Sequence, residues 1–559
     1  MNVANAIVKI MESEKTKYVF GHPGTQTLPL YDALYDSNIY HVLVRHEQTA
    51  SQAADAYAKI TGKVGICDAS LGPGAMNLGI GIAGAWIDST PMIAFTGDRS
   101  AEIIGKGAFQ HIEMQGIFHP ITKLSNVLSL PDKVYHTIRT AYRVALSGRP
   151  GPVHIVIPED VLRKEISGEE DIKSERIYRA FAKPRADPEL IKKAIDLLLQ
   201  AERPVILAGG GCHYSPGSAY KELLELAELL WIPVACTLNG RGCFPEDHPL
   251  SIGRTGVFSA RYVNKFVYQA DALLAVGCRF ADLSMNHWKI INPETKIIHI
   301  DIDPTEIGKN YPVEIGIVGD AGATLSDLIN VLKQHLTTPR AKDTPWLQML
   351  ENGKKEWQNE IHDKITSDDV PLKPQRVIKE VRKFFDRKTV FTLDAGEHKM
   401  LAAANGLLDI YEPGTWINSG EFGPMGYGLP AAIGSKVARP NDNVVVIAGD
   451  GGFSMTLQEL ATCVKHNLPV ISCVLNNDCL GVIKTFQRRT YDSRFISCDL
   501  KGSNPSFVKV AEAFNCYGER VEKPSEIIPA LKNALNATKE GIPAVLEFIT
   551  DPFEAPIRV

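Results

Sequence analysis

A chain of 559 residues is too long to close around one hydrophobic core, so several domains are expected. Ordinary apolar content and a formal net charge of -5 describe a globular protein and argue against a nucleic-acid or membrane-surface partner. Ten cysteines without a C-x-x-C pair fit reduced thiols in the cytoplasm better than a secreted disulfide framework.

The opening "MNVANAIVKIMESEKTKYVF" spaces its apolar residues as an amphipathic helix and carries acidic residues, unlike a signal or transit peptide. No later apolar run reaches membrane-spanning length. Short apolar runs then alternate with longer amphipathic segments. "YVFG", "HVLV", "GKVGICDA" and "PMIAFTG" read as strands in the first part, and "PVILAGGG", "PVACT", "ALLAVGCRF" and "KIIHIDID" in the second. "TVFTLDAG", "NVVVIAGD", "PVISCVLNN" and "PAVLEFIT" read as strands in the third. Runs apolar on both faces and separated by helices are buried parallel strands. Two charged, poorly periodic stretches, Lys164 to Pro188 and Thr337 to Pro374, read as connectors, the second containing a helix. The expected fold class is α/β, with three consecutive doubly wound three-layer domains of mainly parallel sheet at 1–165, 186–340 and 372–559.

Candidate chemistry sits where strands end. In "HVLVRHEQTASQAADAYAKITGK" the strand stops at Val44, Glu47 follows at the carboxyl edge, and an alanine-rich helix begins, with Ala50, Ala53, Ala54 and Ala58 as small packing positions. A glutamate there also complements a helix dipole. In the central part Gly209, Gly210 and Gly211 follow a strand, and with Arg279 of "AVGCRF" and Asp301 of "HIDID" they suit the close approach of a dinucleotide. A tight strand-to-helix turn explains the glycines equally well.

The stretch "VVVIAGDGGFSMTLQELATCVKHNLPVISCVLNND" ends two strands on polar tips, with Leu457, Leu460, Ala461 and Val464 at helical spacing between them. In a right-handed strand–helix–strand unit both tips lie at the same edge, about 5 Å apart if the strands are neighbours. Asp450 and Asn477 can then aim oxygen ligands at one Mg²⁺ or Ca²⁺ shared with a phosphate. Gly449, Gly451 and Gly452 let the backbone approach that phosphate.

GDG followed at this interval by NN resembles the diphosphate and metal motif of thiamine-diphosphate-dependent enzymes. "FGHPG", "RHEQTASQAADAYAKITGK", "LGPGAMN", "GAFQ", "HIDIDPTEIGKN", "GEHKM" and "GEFGPMGYGLPAAIG" are similar to the acetohydroxyacid (acetolactate) synthase branch of that family. The resemblance implies a pyrimidine-binding domain, a central nucleotide-binding-type domain and a diphosphate-binding domain. It also implies an obligate homodimer, because the cofactor lies between the first domain of one subunit and the last of another. Tetramers and a regulatory subunit are left open.

By position, the Asp450 and Asn477 side chains and the main-chain oxygen of Cys479 are the implied ligands of Mg²⁺. Glu47 is the implied catalytic acid, hydrogen-bonded to the cofactor's pyrimidine in a dry pocket that favours a neutral carboxyl. Gly24 joins the cofactor-binding set, and Gly396, Glu397 and His398 contact the diphosphate. The family commonly has Gln where Glu397 stands, and a carboxylate there repels phosphate unless it is protonated or turned away. Gly423 accepts from the cofactor's amino group, and Met425 wedges beneath it. Phe109 and Gln110 line the reacting carbon, while His111 and Glu113 read as a solvated helix face. FAD, or ADP, in the central domain is a further implication.

The implied reaction turns a 2-keto acid, taken to be pyruvate, into an enamine that is transferred to a second carbonyl compound. The chain departs from the pattern on the acceptor side. Leu283 stands where the family's R-F-D-D-R string has its second arginine, which holds the acceptor carboxylate, and Phe486 stands in place of a tryptophan. These departures open a rival reading as a 2-hydroxyacyl-coenzyme A or 2-hydroxy-ketone lyase, with His287 and Trp288 lining the pocket. A non-catalytic nucleotide-binding protein is disfavoured because Glu47, Asp450 and Asn477 are all present.

Overall fold

The structure, a computed structural model, describes residues 1–167, 177–214, 219–335 and 341–556. Its described residues form three six-stranded sheets in which every strand pairing is parallel. The first holds β1 (Tyr18–Gly21), β2 (Tyr40–Leu43), β3 (Gly65–Ala69), β4 (Met92–Asp98), β5 (Leu124–Val127) and β6 (Pro152–Pro158), in the order β2-β1-β3-β4-β6-β5. The second holds β7 (Pro204–Ala208), β8 (Val234–Cys236), β9 (Ser251–Arg254), β10 (Ala272–Val276), β11 (Lys296–Asp301) and β12 (Ile315–Val318), in the order β12-β11-β10-β7-β8-β9. The third holds β13 (Val390–Leu393), β14 (Trp416–Asn418), β15 (Val444–Gly449), β16 (Ile471–Asn476), β17 (Tyr517–Val521) and β18 (Ala544–Ile549), in the order β14-β13-β15-β16-β18-β17.

The first and third sheets thus share one topology. The second, read from its other edge, has the strand order typical of dinucleotide-binding folds. Such sheets bind ligands at the carboxyl ends of the two strands where the order reverses. Those pairs are β1 and β3, β7 and β10, and β13 and β15.

The expected amino-terminal helix is Val3–Ser13, whose cap Asn2 accepts from the Asn5 N–H at 2.9 Å and whose face of Ile7, Ile10 and Met11 is buried. Small residues set the join between the first and third sheets. The helix Glu47–Thr61 packs along Gly428–Ala438, and a Cβ at Gly434 would collide with the Ala53 carbonyl, so the two backbones touch.

The helix expected within the second connector is Pro345–Ile365, and it buries Trp346, Leu350, Trp357 and Ile361 in a core shared by the second and third sheets. Its indole N–H groups donate to Pro204 O and Asn405 O, one on each sheet's side. Residues 168–176 of the earlier connector and 337–340 of this one lie outside the described residues. Beyond the first gap, Tyr178 and Arg179 bind Glu14 of the amino-terminal region at 2.6 and 2.8 Å. Among the described residues no helix is long and apolar enough to cross a membrane.

Candidate active site

Glu47 opens its helix directly beyond β2, and the His46 ring caps it by accepting from the Gln48 N–H at 3.2 Å. The Glu47 Oε2 accepts from Asn77 Nδ2 at 2.9 Å. A Cβ at Gly74 would lie 2.9 Å from Oε1, so the glycine of "LGPG" makes room for the carboxylate. Ser70, bonded to Gln26 at 3.0 Å, fills the space a side chain on Gly24 would need, and the Gln110 carbonyl does the same at Gly72. Gly24, Glu47 and Gln110 therefore converge on the loop after β3. Gln110 itself has φ 63°, and Phe109 beside it stands 71% exposed. The expected solvated helix face does not form. His111 lies in a loop, fixed by Asp98 at 2.7 Å, and only Glu113 is exposed, just before the helix Met114–Phe118.

At the third sheet β15 and β16 are direct neighbours, with Gly449 in register with Leu475, so Asp450 and the Asn476–Asn477 pair share one edge. The single helix expected between them is broken into Asp450–Ser454, a 3₁₀ turn Leu457–Glu459, and Leu460–Lys465. Val464 faces solvent, whereas Glu459 is wholly buried. Its carboxylate accepts from the Arg45 N–H at 3.1 and 3.2 Å and from the Thr462 hydroxyl at 2.6 Å, which turns this segment toward the β2 tip rather than continuing one helical face.

Burial pushes the Asp450 carboxyl up to about 6, against a 2.7 Å hydrogen bond from Asn504 Nδ2 that pulls it down. The same amide donates to Asp478 Oδ1 at 3.0 Å and lies 3.5 Å from Asn476 Oδ1. Asn477 Oδ1 accepts from the Cys479 N–H at 3.2 Å. Among the described residues no cluster of three His, Cys, Asp or Glu side chains has the arrangement of a metal site. A cation at this tip would therefore rest on few carboxylates with amide, carbonyl and phosphate oxygens, the donor set that suits Mg²⁺.

The neighbouring tip, after β13, is organised by a residue that sequence reasoning missed. Asp394 accepts from the N–H groups of Ala395, Gly426 and Gly428 at 2.6, 2.8 and 3.3 Å, stitching the "GEHKM" turn to the "GPMGYG" loop, and burial pushes it up to about 6. His398 is buried, held near 4 by that burial and therefore neutral, with its ring against Gly449. Gly396 takes φ 151°, a value other residues rarely adopt. Glu397 is turned beneath Gly481, and burial raises its carboxyl while Thr485, Arg488 and Arg489 lower it. Turned beneath Gly481, the Glu397 carboxyl takes the turned-away arrangement that lessens repulsion with a phosphate.

Met425, expected to wedge beneath the cofactor, has its Cε 3.6 Å from the Cβ position of Gly451, against the glycine turn. Gly423 has φ 65° with nothing within 4 Å of an added Cβ, so the backbone there, not space, requires glycine. Ser284 donates to Glu421 at 2.9 Å and ties the turn bearing Leu283 to this loop. Leu283, Trp288 and Phe486 are 40, 47 and 47% exposed. His287 is paired with Asp282 at 2.8 Å.

All five candidates of the central part, Gly209, Gly210, Gly211, Arg279 and Asp301, line one cavity of about 820 Å³, whose wall also includes Glu421. The glycines serve a tight crossing as well. Gly209 and Gly211 donate to Val276 O and Gly277 O at 2.9 and 3.0 Å, and a Cβ on Gly211 would come 2.8 Å from Gly277 Cα, at the β7/β10 reversal. Burial pushes Asp301 up to about 6. The volume falls in the range of small-molecule and cofactor sites.

Family profiles described as thiamine pyrophosphate enzyme match three times: the N-terminal TPP binding domain at 1–117, the central domain at 191–328 and the C-terminal TPP binding domain at 394–548. The chain is 43% identical over 563 residues to the "Probable acetolactate synthase large subunit" of Methanocaldococcus jannaschii, covering 99% of this chain and 93% of the relative. It is 40% identical to the protein of that name from Methanococcus aeolicus, with the same coverage, and 38% identical to the "Acetolactate synthase large subunit" of Corynebacterium glutamicum, over 98% of this chain and 87% of the relative. Sheet by sheet and along its full length, this is a thiamine-diphosphate-dependent enzyme, and it belongs to the acetolactate synthase large-subunit family.

Proposed function

We propose that the chain catalyses acetolactate formation: it decarboxylates pyruvate and joins the two-carbon fragment to a second carbonyl compound, with domains at 1–165, 186–340 and 372–559. The observation that carries the reading is the pairing of two sheet edges in one chain, one presenting Glu47 beside Asn77 and Gly74, the other presenting Asp450 beside the Asn476–Asp478 tip. Bound thiamine diphosphate supplies the electron sink for decarboxylation. Asp450, Asn477 and the Cys479 carbonyl would hold Mg²⁺ against its diphosphate, with Gly396, Glu397, His398 and Gly449–Gly452 around the phosphates. Glu47 would hold and release the proton exchanged with the cofactor's pyrimidine ring. Gly24, Gly423 and Met425 orient the cofactor, and Phe109 and Gln110 cover the reacting carbon and exclude water.

Two copies of the chain complete each site, Glu47 coming from one and Asp450 from the other. The exposed Phe109 supports a covered, assembled site. The central cavity takes a nucleotide, FAD or ADP, and a flavin band in the visible spectrum of the purified protein separates the two. Ten buried, unlinked cysteines support a cytoplasmic location, and the large-subunit names of the relatives support a regulatory partner.

The exposed, uncharged Leu283 and Trp288 favour one second reading, a lyase whose acceptor lacks a carboxylate. Purified protein with thiamine diphosphate, Mg²⁺ and pyruvate alone decides between them when acetolactate, acetaldehyde and carbon dioxide are all measured. Acetolactate is the expected product. Inactivity on pyruvate together with cleavage of a 2-hydroxyacyl-coenzyme A would replace the synthase by the lyase.

A further inference from the structure

We propose that Asn504 is a positioning residue for the cation, fixing the Asp450 carboxylate so that its second oxygen is offered to the ion; this rests on the cation reading above. Asn504 is distant in sequence from both partners, 54 positions from Asp450 and 26 from Asp478, yet one amide nitrogen donates to both, at 2.7 and 3.0 Å. An amide nitrogen has two hydrogens, so both bonds can form at once. The shared amide donor holds the two carboxylates side by side without adding a charge that would compete with a cation.

The chain commits structure to this placement. After the Asn476–Asn477 tip it leaves and returns antiparallel to itself, Leu480 N donating to Cys498 O at 2.8 Å and Leu500 N to Asp478 O at 2.9 Å. Ser503 N and Asn504 N then both donate to Leu500 O, at 3.1 and 3.2 Å, and the helix Phe507–Ala513 follows. Leu480 and Leu500 also press on Gly451, 2.9 and 3.5 Å from where a Cβ would be. The returning strap thus covers the glycine turn and delivers Asn504 to the carboxylate beside it. Hydrogen-bond partners of metal-binding carboxylates set their orientation, and losing one weakens metal affinity about 10–100-fold.

The test titrates Mn²⁺ into the full-length protein with thiamine diphosphate, reading bound metal by calorimetry and by the loss of the free-Mn²⁺ resonance signal. Asn504→Ala and Asn504→Ser, the second guarding against a folding defect in the first, are expected to raise the Mn²⁺ Kd about 10–100-fold. At saturating Mn²⁺ their kcat is expected to return, a recovery that a merely damaged fold does not give. Ser503→Ala, on the same turn but away from the carboxylates, is expected to bind as the parent does. Variants of Asn504 that bind Mn²⁺ as tightly as the parent, or more tightly, would overturn the proposal, as would equal weakening by Ser503→Ala. A parent protein that binds no Mn²⁺ at this tip would overturn the cation reading itself.

Discussion

The first and third sheets share one strand order, and their packed helices Glu47–Thr61 and Gly428–Ala438 touch along their backbones, yet their carboxyl edges present different chemistry. At the first, Glu47 is a half-buried carboxylate with one side-chain amide donor, Asn77. The third ends on glycine turns and a group of oxygens, with Asp450 2% exposed and Asp394 laced to three N–H groups. The difference teaches that topology supplies only the position of an edge, while the residues placed there decide between holding a cofactor and acting on it.

Replacing each edge in turn separates those tasks. Glu47→Gln removes a proton carrier but keeps the shape, so kcat is expected to fall about 10²–10⁴-fold with cofactor affinity little changed. Tryptophan fluorescence titration with thiamine diphosphate checks the second half of that statement. Asp450→Ala should do the reverse, weakening Mg²⁺-dependent cofactor binding by at least about 100-fold, with activity partly recovered at high Mg²⁺ and cofactor. If both substitutions lowered cofactor binding equally, the two edges would not differ in role.

A smaller effect separates the edges by pH. Asp450 is held up to about 6, above its ordinary value, and a cation binds the carboxylate form. Mg²⁺ affinity is therefore expected to be full above that value and to fall about tenfold per unit as pH drops below it. In the cation-free protein the sign reverses. A carboxyl raised by folding contributes stability at low pH that is lost as pH rises through about 6, so chelated protein should lose thermal stability there and Mg²⁺ should restore it. Calorimetric melts across pH 4 to 8, with and without Mg²⁺, measure both.

Twelve of the eighteen strands among the described residues were legible as apolar runs, including every strand whose tip carries a proposed cofactor contact at the β13/β15 and β7/β10 reversals. Five of the six that were not, β5, β9, β12, β14 and β17, are short sheet edges whose apolar residues are interrupted or ended by glycine or polar residues. The sixth, β6, is buried throughout, but His154 interrupts its apolar run, satisfied inside by Thr96 and Ser125 at 2.8 and 2.9 Å. A helix was legible within the connector at Pro345–Ile365, but its role in the core was not, because its exposed charged face outnumbers the buried Trp346, Leu350, Trp357 and Ile361. GDG and NN were readable because strand and helix lengths fix their separation. Asn77, Asp394 and Asn504 were not, because each acts through a partner that only the folded loops bring near.

The central claim is that the two unlike edges complete one site from two copies of the chain. Co-expression of the Glu47→Gln and Asp450→Ala chains tests it directly, since each homodimer alone is expected to be nearly inactive. If sites form across the subunit boundary, mixed dimers contain one site with both defects and one with neither, and random pairing should return about a quarter of the parent activity. Mixed dimers no more active than the two homodimers would place Glu47 and Asp450 of the same chain in the same site and contradict the account.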